Sequence, residues 1–507
     1  MRISTSNVVK SFCAILLLGL LAVSCRKDPI FYIISTETAP IPPLIPGSPT
    51  NMVVFQREYK HFTDTPNDPN DPAFDPEAPY EIIPINFLFV ASGRLHWYGS
   101  PDPANESPRW DRRYGIPQPG GKIISLAVTR KHLYALCLSG SSLRATLRRI
   151  GHEHDSEWQE VAGVNEYPLI QSIYVTDFKK DDASEPDQLF AGARRGDTYA
   201  LLYLDDTDNP TLKLLKGKTE MLSGAAYRDN FYYLCTRGDG IFRIGKSYLD
   251  TNPTIDEELD NINVLQLTNL RKVQVKIDPD NPDPDIPDPD DPPPVDPPPV
   301  DPELKFKIDI QEGNKNLLFM SMIRLENKSI IVNGRNGGIL YEILTDTDLD
   351  NLFNDVTVTE PSVSIGDFDK GRAFSQIFYD NGRSARTGGY AMSGLTLWED
   401  DNRYLKKLVA SRQGTLFSTS YNNGYIEFNL KYSGGSFDKK NPLNLMQTVD
   451  DYDRYSTNLE KQPINHLFQT PKEVDPERIF FASTQTGGLW SYRYRSGNGG
   501  WQWNAEN

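Results

Sequence analysis

The chain has 507 residues, of which 53 are basic, 69 acidic and 38 proline, giving a formal net charge of −16. The whole acidic excess sits in two short stretches: Asp64–Glu81 holds six acids and Asp278–Glu303 holds ten, with no base in either, so the remainder is charge-neutral. No basic excess accumulates anywhere to neutralise phosphates, which argues against nucleic acid as a partner, and the neutral remainder suffices for one large domain or two ordinary ones.

Arg2 and Lys10 precede an apolar run, Phe12–Val23, which is too short to span the roughly 30 Å hydrocarbon layer. It reads as a signal peptide over residues 1–24. The run closes on Ala22-Val23-Ser24-Cys25, small residues leading into a cysteine, which resembles the lipobox of bacterial lipoproteins with Ala22 where that pattern usually has leucine. The resemblance implies cleavage before Cys25, a diacylglyceryl group on its thiol and acylation of the new amine. Several acyl chains anchor firmly where one binds only marginally. Arg26 stands where an aspartate would resemble an inner-membrane retention signal, so the expected address is the bacterial cell envelope, with the body tethered to the outer membrane. Residues 25–49, rich in Pro, Ser and Thr, read as a lipidated spacer, and no later apolar run reaches eighteen residues.

From residue 50 to 507 a repeat organises the chain: an apolar strand, a tight Gly/Asn/Asp turn and a second strand. The copies begin at Leu88 (LFVASGRLHWY), Leu133, Leu189, Phe231, Ile330, Leu416 (LFSTSYNNGYIEFNL) and Ile479. Glycine or asparagine at each turn supplies the positive φ that two-residue hairpins need. A further strand precedes most copies (IISLAV, LSGAAY, SMIRL, KKLVAS, INHLFQ), and a polar-aromatic strand such as WQEV or WQWN follows several. Four strands per unit, with early copies starting 42 to 56 residues apart, predict an all-β chain: a β-propeller, most simply of seven four-stranded antiparallel blades. The segment Phe374–Asp400 contains another possible hairpin (GGYAMSGLTLWED), which makes eight blades the alternative. Cys137 and Cys235 fall in apolar strands of non-adjacent units and read as buried small hydrophobes.

The last unit ends in Ser496-Gly497-Asn498-Gly499-Gly500-Trp501-Gln502-Trp503, which resembles the Asp-box of sialidase-type propellers. Asn498 stands for the aspartate and Gln502 for the threonine. The resemblance implies a structural turn built on Ser496, Asn498, Gly500 and Trp503, and says little about activity. Phe242-Arg243-Ile244-Gly245 resembles the Phe-Arg-Ile-Pro signature of the same enzymes without its proline, and is already explained as a hairpin strand.

Other constellations have structural explanations beside the functional ones. His152-Glu153-His154-Asp155 puts two imidazoles on one face of an extended chain but signals no third metal ligand. Asp346-Thr347-Asp348-Leu349-Asp350-Asn351 resembles the start of a calcium loop, yet Thr357 stands where the bidentate glutamate belongs. Calcium is thus a conceivable cofactor and no other is signalled. Two Arg-Gly-Asp triplets, Arg195-Gly196-Asp197 and Arg237-Gly238-Asp239, occupy hairpin turns; an exposed turn of this kind suits an adhesion receptor, while Gly and Asp also serve the turn itself.

The two Asp-Pro tracts cannot form a hydrogen-bonded ladder or bury apolar area. Residues 64–81 read as an acidic loop and 278–303 as a stiff, disordered insertion at the tip of a hairpin, and either is a place to seek a basic partner. The combined reading is a lipid-anchored extracytoplasmic propeller that binds a protein or serves assembly; the alternatives are a propeller enzyme such as a glycan hydrolase, and an adhesin using the turn triplets. Cys25→Ala, or globomycin treatment, should leave a full-length unlipidated precursor by mass spectrometry. A mature chain that begins elsewhere and partitions into the aqueous phase would refute the assignment.

Overall fold

The computed structural model describes Ile45 and residues 48–65, 72–73, 75–100, 107–110, 116–138, 145–164, 166–176, 185–206, 209–251, 264–267, 317–325, 328–334, 339–354, 374–379, 390–399, 406–414, 424–429, 445–447, 463–471, 473–475, 478–485, 487–495 and 500–506. The chain is all-β there, with two short helices. Its strands fall in chain order into seven antiparallel meanders of four.

The first meander is β1 (Met52–Phe62), β2 (Tyr80–Ser92), β3 (Arg94–Gly99) and β4 (Arg109–Trp110). The second is β5 (Lys122–Val128), β6 (Leu133–Leu138), β7 (Ala145–Ile150) and β8 (Gln159–Val161). The third is β9 (Leu169–Val175), β10 (Leu189–Arg195), β11 (Thr198–Asp205) and β12 (Thr211–Thr219). The fourth is β13 (Leu222–Arg228), β14 (Phe231–Gly238), β15 (Ile241–Gly245) and β16 (Val264–Leu267), with helix α1 (Lys246–Asp250) after β15. The fifth is β17 (Leu317–Arg324), β18 (Ile330–Gly334), β19 (Ile339–Ile343) and β20 (Phe374–Tyr379), with helix α2 (Asp346–Asn354) after β19. The sixth is β21 (Tyr390–Glu399), β22 (Lys406–Gly414), β23 (Gly424–Asn429) and β24 (Leu445–Gln447). The seventh is β25 (Ile464–Gln469), β26 (Arg478–Thr484), β27 (Leu489–Arg495) and β28 (Gly500–Ala505). All belong to one unit, Ile45–Glu506.

Where burial is described, the inner parts of the second strands are buried on both faces, as in LYALC of β6 and IIVNG of β18, because each meander is covered by its neighbours. They therefore read as continuous apolar runs. Apolar clusters join the first meander to the second (Phe55, Phe87 and Phe89 with Leu126 and Leu133), the second to the third, the third to the fourth and the fourth to the fifth. The seventh joins the first through Phe481 and Leu489 against Leu88, Tyr98 and Trp110. Burying each such side chain contributes about 1.5–3 kcal/mol. The Glu506 carboxylate accepts from Trp110 Nε1 at 2.7 Å and from the Ser491 hydroxyl, and Asp475 accepts from the Tyr98 hydroxyl.

First strands of successive meanders lie side by side, and β1 also contacts β25. In six of the seven first strands the register skips one residue: Ile124, Gln171, Ser223, Met320, Ser393 and Asn465. Such bulges turn side chains out of the ladder. Here they accompany a repeated bond to the next meander: Ser172 Oγ to Leu222 O (2.9 Å), Ser223 Oγ to Phe319 O (2.7 Å) and Thr396 Oγ1 to Leu467 O (2.7 Å). Asn51, just ahead of β1, donates to Leu126 O at 2.6 Å and accepts from Leu126 N at 2.8 Å. Asn465 Nδ2 donates to Ser48 Oγ at 3.0 Å and Pro49 O at 3.1 Å.

Two expectations change. The sixth hairpin is β22–β23, so KKLVAS is its first strand and not the strand before it, while residues 415–423 lie outside the described residues. The apolar segment taken as a possible eighth hairpin is the single strand β21, which pairs with β22 from Tyr390–Gly414 to Glu399–Lys406. A glycine at position 394, beside the bulge, looked like a hairpin turn. The strands expected to flank the 278–303 tract, and the tract itself, lie outside the described residues; the tract connects β16 to β17. The expected acidic loop 64–81 joins β1 to β2 at the far tip of a paired ribbon, but its last two residues, Tyr80 and Glu81, already belong to β2. Cys137 on β6 and Cys235 on β14 are buried and free, and burial pushes their thiols up to about 11 and about 12. The described residues include no helix long and apolar enough to cross a membrane.

Close approach of first strands sets a testable limit. A Cβ on Gly224 would meet Met322 Cβ at 3.0 Å, Met322 N at 3.1 Å and Cys235 Sγ at 2.9 Å, whereas one on Gly163 meets nothing within 4 Å. Gly224→Ala should therefore lose about 1–3 kcal/mol in urea unfolding, and Gly163→Ala should stay within about 0.5 kcal/mol of wild type.

Candidate functional site

Charged side chains gather where first strands turn into second strands. Three first strands run apolar and then meet an arginine at this end: Arg130 after β5, Arg228 closing β13 and Arg324 closing β17. Each finds a carboxylate from another meander or connection. The Arg130 amide donates to Asp187 Oδ2 at 2.6 Å, and its Nη1 donates to the Glu185 carbonyl at 2.7 Å. The Glu185 carboxylate takes the Arg324 guanidinium, whose Nη1 also donates to Tyr227 O at 3.1 Å. The β9–β10 connection thereby ties the second, third, fourth and fifth meanders together.

Beside it, Arg149 on β7 donates to Asp206 Oδ1 at 2.5 Å, and His132 Nδ1 lies 3.7 Å from Asp206 Oδ2. Burial works to raise the Asp206 carboxyl, but the hydrogen bond and charge of His132 and the charges of Arg149 and Lys131 outweigh it and hold the group below its ordinary range. Tyr134, fully buried next to this cluster, is raised, first by burial and then by Asp206.

A second, deeper cluster joins the fourth and fifth meanders. Asp346 Oδ2 accepts from Arg228 Nε at 2.8 Å, and Asp346 Oδ1 accepts from Tyr233 Oη at 2.5 Å and lies 3.2 Å from Arg243 Nη1. Arg243 also reaches Asp350, and its guanidinium lies 4.0 Å from the Phe231 ring centre. Burial opposes the Arg228 charge, yet Tyr233 and Asp346 raise it above its usual value. Tyr233 is raised as well, first by burial.

This geometry replaces one sequence alternative and agrees with another reading, the Phe242–Gly245 segment being part of strand β15. The acidic run from Asp346 is helix α2, not a calcium loop, because its first and fifth residues face arginines one helical turn apart; among the described residues no group of three or more potential ligands is placed to hold a metal. Arg243 of the Phe-Arg-Ile-Gly segment is fully buried and spent on α2. The His152–Asp155 loop docks on β1 through backbone: Arg57 Nη2 donates to Glu153 O at 2.9 Å and His154 O at 3.3 Å, and the Glu58 amide donates to His152 O at 2.8 Å. His152 stacks on Phe55 at 4.4 Å.

The two Arg-Gly-Asp turns differ. Arg195, Gly196 and Asp197 are exposed between β10 and β11, with Gly196 at φ +58 and Asp197 3.3 Å from Arg194 Nη2. In the second triplet, Arg237, Gly238 and Asp239 are half-buried, and Asp239 Oδ2 accepts from Thr219 Oγ1 at 2.9 Å and Glu220 N at 2.7 Å. Of the Asp-box-like residues, Gly500 opens β28 and Trp503 is buried against Phe480 and Tyr492, with ring centres 6.1 and 5.5 Å away; Ser496 and Asn498 lie outside the described residues, as does Cys25.

Sequence reasoning missed the cross-meander pairs of Arg130, Arg149 and Arg324 with Glu185, Asp187 and Asp206. The repeated arginine after LAV, AAY and SMI was the available signal for one side, but nothing marks which loop carboxylate comes to it.

No family model and no curated protein matches the sequence. Among solved structures, the extracellular domain of a putative hybrid two-component system, BT4673, from B. thetaiotaomicron aligns at 12% identity over 87% of this chain and 40% of that one, with TM-score 0.39. The chain thus spans less than half the length of that protein. YCF48 from Cyanidioschyzon merolae aligns at 10% identity over 89% of this chain and 95% of that one (TM-score 0.37), and BBS1N, solved in complex with ARL6DN, at 10% over 88% and 96% (TM-score 0.37). Likeness at this level carries no argument about function.

The pH response follows from Asp206. Its folded pKa lies below its unfolded one, so its contribution to stability is present above the unfolded value, about 4, and is lost as pH falls through the folded one. Asp206→Asn should be less stable at pH 7 and lose less stability between neutral pH and pH 3 in denaturant titrations; an unchanged acid slope would refute the pairing.

Proposed function

We propose that the chain is a lipid-anchored protein of the bacterial cell envelope, tethered at Cys25 to the outer membrane, whose seven meanders are the blades of a closed β-propeller acting as a protein-binding or assembly module. Neighbouring first strands, the contact of β25 with β1, and the Asn465 bond to Pro49 support closure. An open row would leave two apolar faces in water. The observation that carries the functional reading is how charge is used. A glycan hydrolase aims arginines and carboxylates at its substrate, whereas here Arg130, Arg228, Arg243 and Arg324 are each held by carboxylates or carbonyls that join one meander to another. These pairs make a rigid scaffold suited to displaying turns and loops.

One observation favours a second, adhesive reading: the Arg195–Asp197 turn is exposed to solvent while the Asp239 carboxylate is tied to Thr219 and Glu220 at the end of β12. On that reading Asp197→Ala alone abolishes attachment to host cells and Asp239→Ala changes stability instead. On the assembly reading, both variants attach as wild type does, purified protein releases no sugar from envelope or host glycans, and crosslinked envelopes yield one stoichiometric protein partner. Sugar release would move the reading to the enzyme class.

A further inference from the structure

β1 and β2 remain paired well beyond their own meander. Their register runs without a break from Met52–Val90 to Phe62–Tyr80, whereas β3 covers β2 only back to Leu88. The outer half is a two-stranded ribbon whose residues alternate between two faces. One face is spent: Arg57, Tyr59 and Ile85 are buried, and the Arg57 guanidinium and Glu58 amide fasten the ribbon to the 152–154 backbone.

The other face is not. Tyr80 and Ile82 are 46% and 40% exposed, the large hydrophobics found exposed among the described residues, and Pro84 continues their row. Phe62, opposite Tyr80, meets its ring edge-on at 5.7 Å, and Lys60, opposite Ile82, lays its ammonium 4.5 Å from the Tyr80 ring centre. The ridge is thus a formed surface held on a rigid ribbon. Around it stand three exposed carboxylates, Asp64, Asp75 and Glu77, while Glu81 falls on the opposite face across from His61, and Lys60 is the only lysine or arginine among the described residues from 59 to 84.

Protein interfaces centre on aromatic and aliphatic anchors and place charge at the rim, where it selects the partner's sign and speeds encounter. An acidic rim repels an anionic lipid surface and a second copy of the same ribbon. We propose that this face of the β1–β2 ribbon docks an extended protein segment in which aliphatic side chains alternate with lysine or arginine, the aliphatics covering Tyr80 and Ile82 and the cations meeting the rim carboxylates. The inference rests on the reading of this chain as a protein-binding module.

The test uses the full chain and labelled ten-residue peptides of alternating Lys-Ile, Ser-Ile and Glu-Ile, together with oligolysine, in fluorescence anisotropy at physiological salt. The Lys-Ile peptide should bind about tenfold tighter than each of the others, and Tyr80→Ser with Ile82→Ser should weaken it about tenfold. Because both side chains are exposed, that double variant should keep the wild-type Tm. Equal binding of the three Ile peptides, still lost in the double variant, overturns the cationic partner and leaves the docking surface standing. Binding of oligolysine equal to Lys-Ile, or Lys-Ile binding untouched in the double variant, overturns the ridge as the site. A self-association in sedimentation that the double variant abolishes assigns the face to a second copy and overturns the proposal, and no binding by any peptide overturns the docking reading itself.

Discussion

Everything in this body depends on how one first strand meets the next. A four-stranded meander with both faces apolar cannot stand alone, and its first strand is an edge that its own meander leaves unpaired. The solution repeated along the chain is a hydroxyl or amide side chain, on a first strand that carries a one-residue bulge, bonded to the neighbouring backbone: Ser172 to Leu222, Ser223 to Phe319, Thr396 to Leu467, Asn465 to Pro49, with Ser223 and Asn465 the bulged residues themselves. Glycines at 192 and 224 let the strands approach until a single added Cβ would collide. Packing between meanders supplies most of the energy, while these bonds fix the spacing at which that packing is possible.

The charged network has a different task. Ion pairs as buried as Arg243–Asp346 contribute little over an apolar substitute, but they penalise every arrangement that separates the partners. Placing them where connections leave the first strands pins loops that the apolar clusters do not reach. Glu185 shows the effect: its carbonyl and carboxylate hold arginines of two different meanders, so the β9–β10 connection is fixed from both sides. These groups are held by other residues of the chain, whereas the outer face of the β1–β2 ribbon and the Arg195–Asp197 turn stay exposed.

Legibility followed the same division. The second strands were readable because burial on both faces makes them apolar runs bounded by turn residues, as at Leu133, Phe231 and Ile479. The first and fourth strands were harder: β9 and β12 mix polar and apolar residues, and β1, with FQREYKHF, alternates charge and aromatic in a way that suits a surface ribbon as well as a loop. Helix α2 was not legible because a run of alternating aspartates fits a cation loop and an amphipathic turn equally; only the arginines of the fourth meander, about a hundred residues earlier, distinguish them.

Composition and spacing alone determined that the acidity is local, that the body is all-β and that it repeats in four-stranded units, because local turn chemistry and hydrophobic periodicity are properties of neighbouring residues. The opposite fates of the two Arg-Gly-Asp turns, the pairing of arginines with particular carboxylates, and the exposed side of the first ribbon were decided by tertiary structure. Each depends on which meander stands next to which, and no local pattern in the chain encodes that distance.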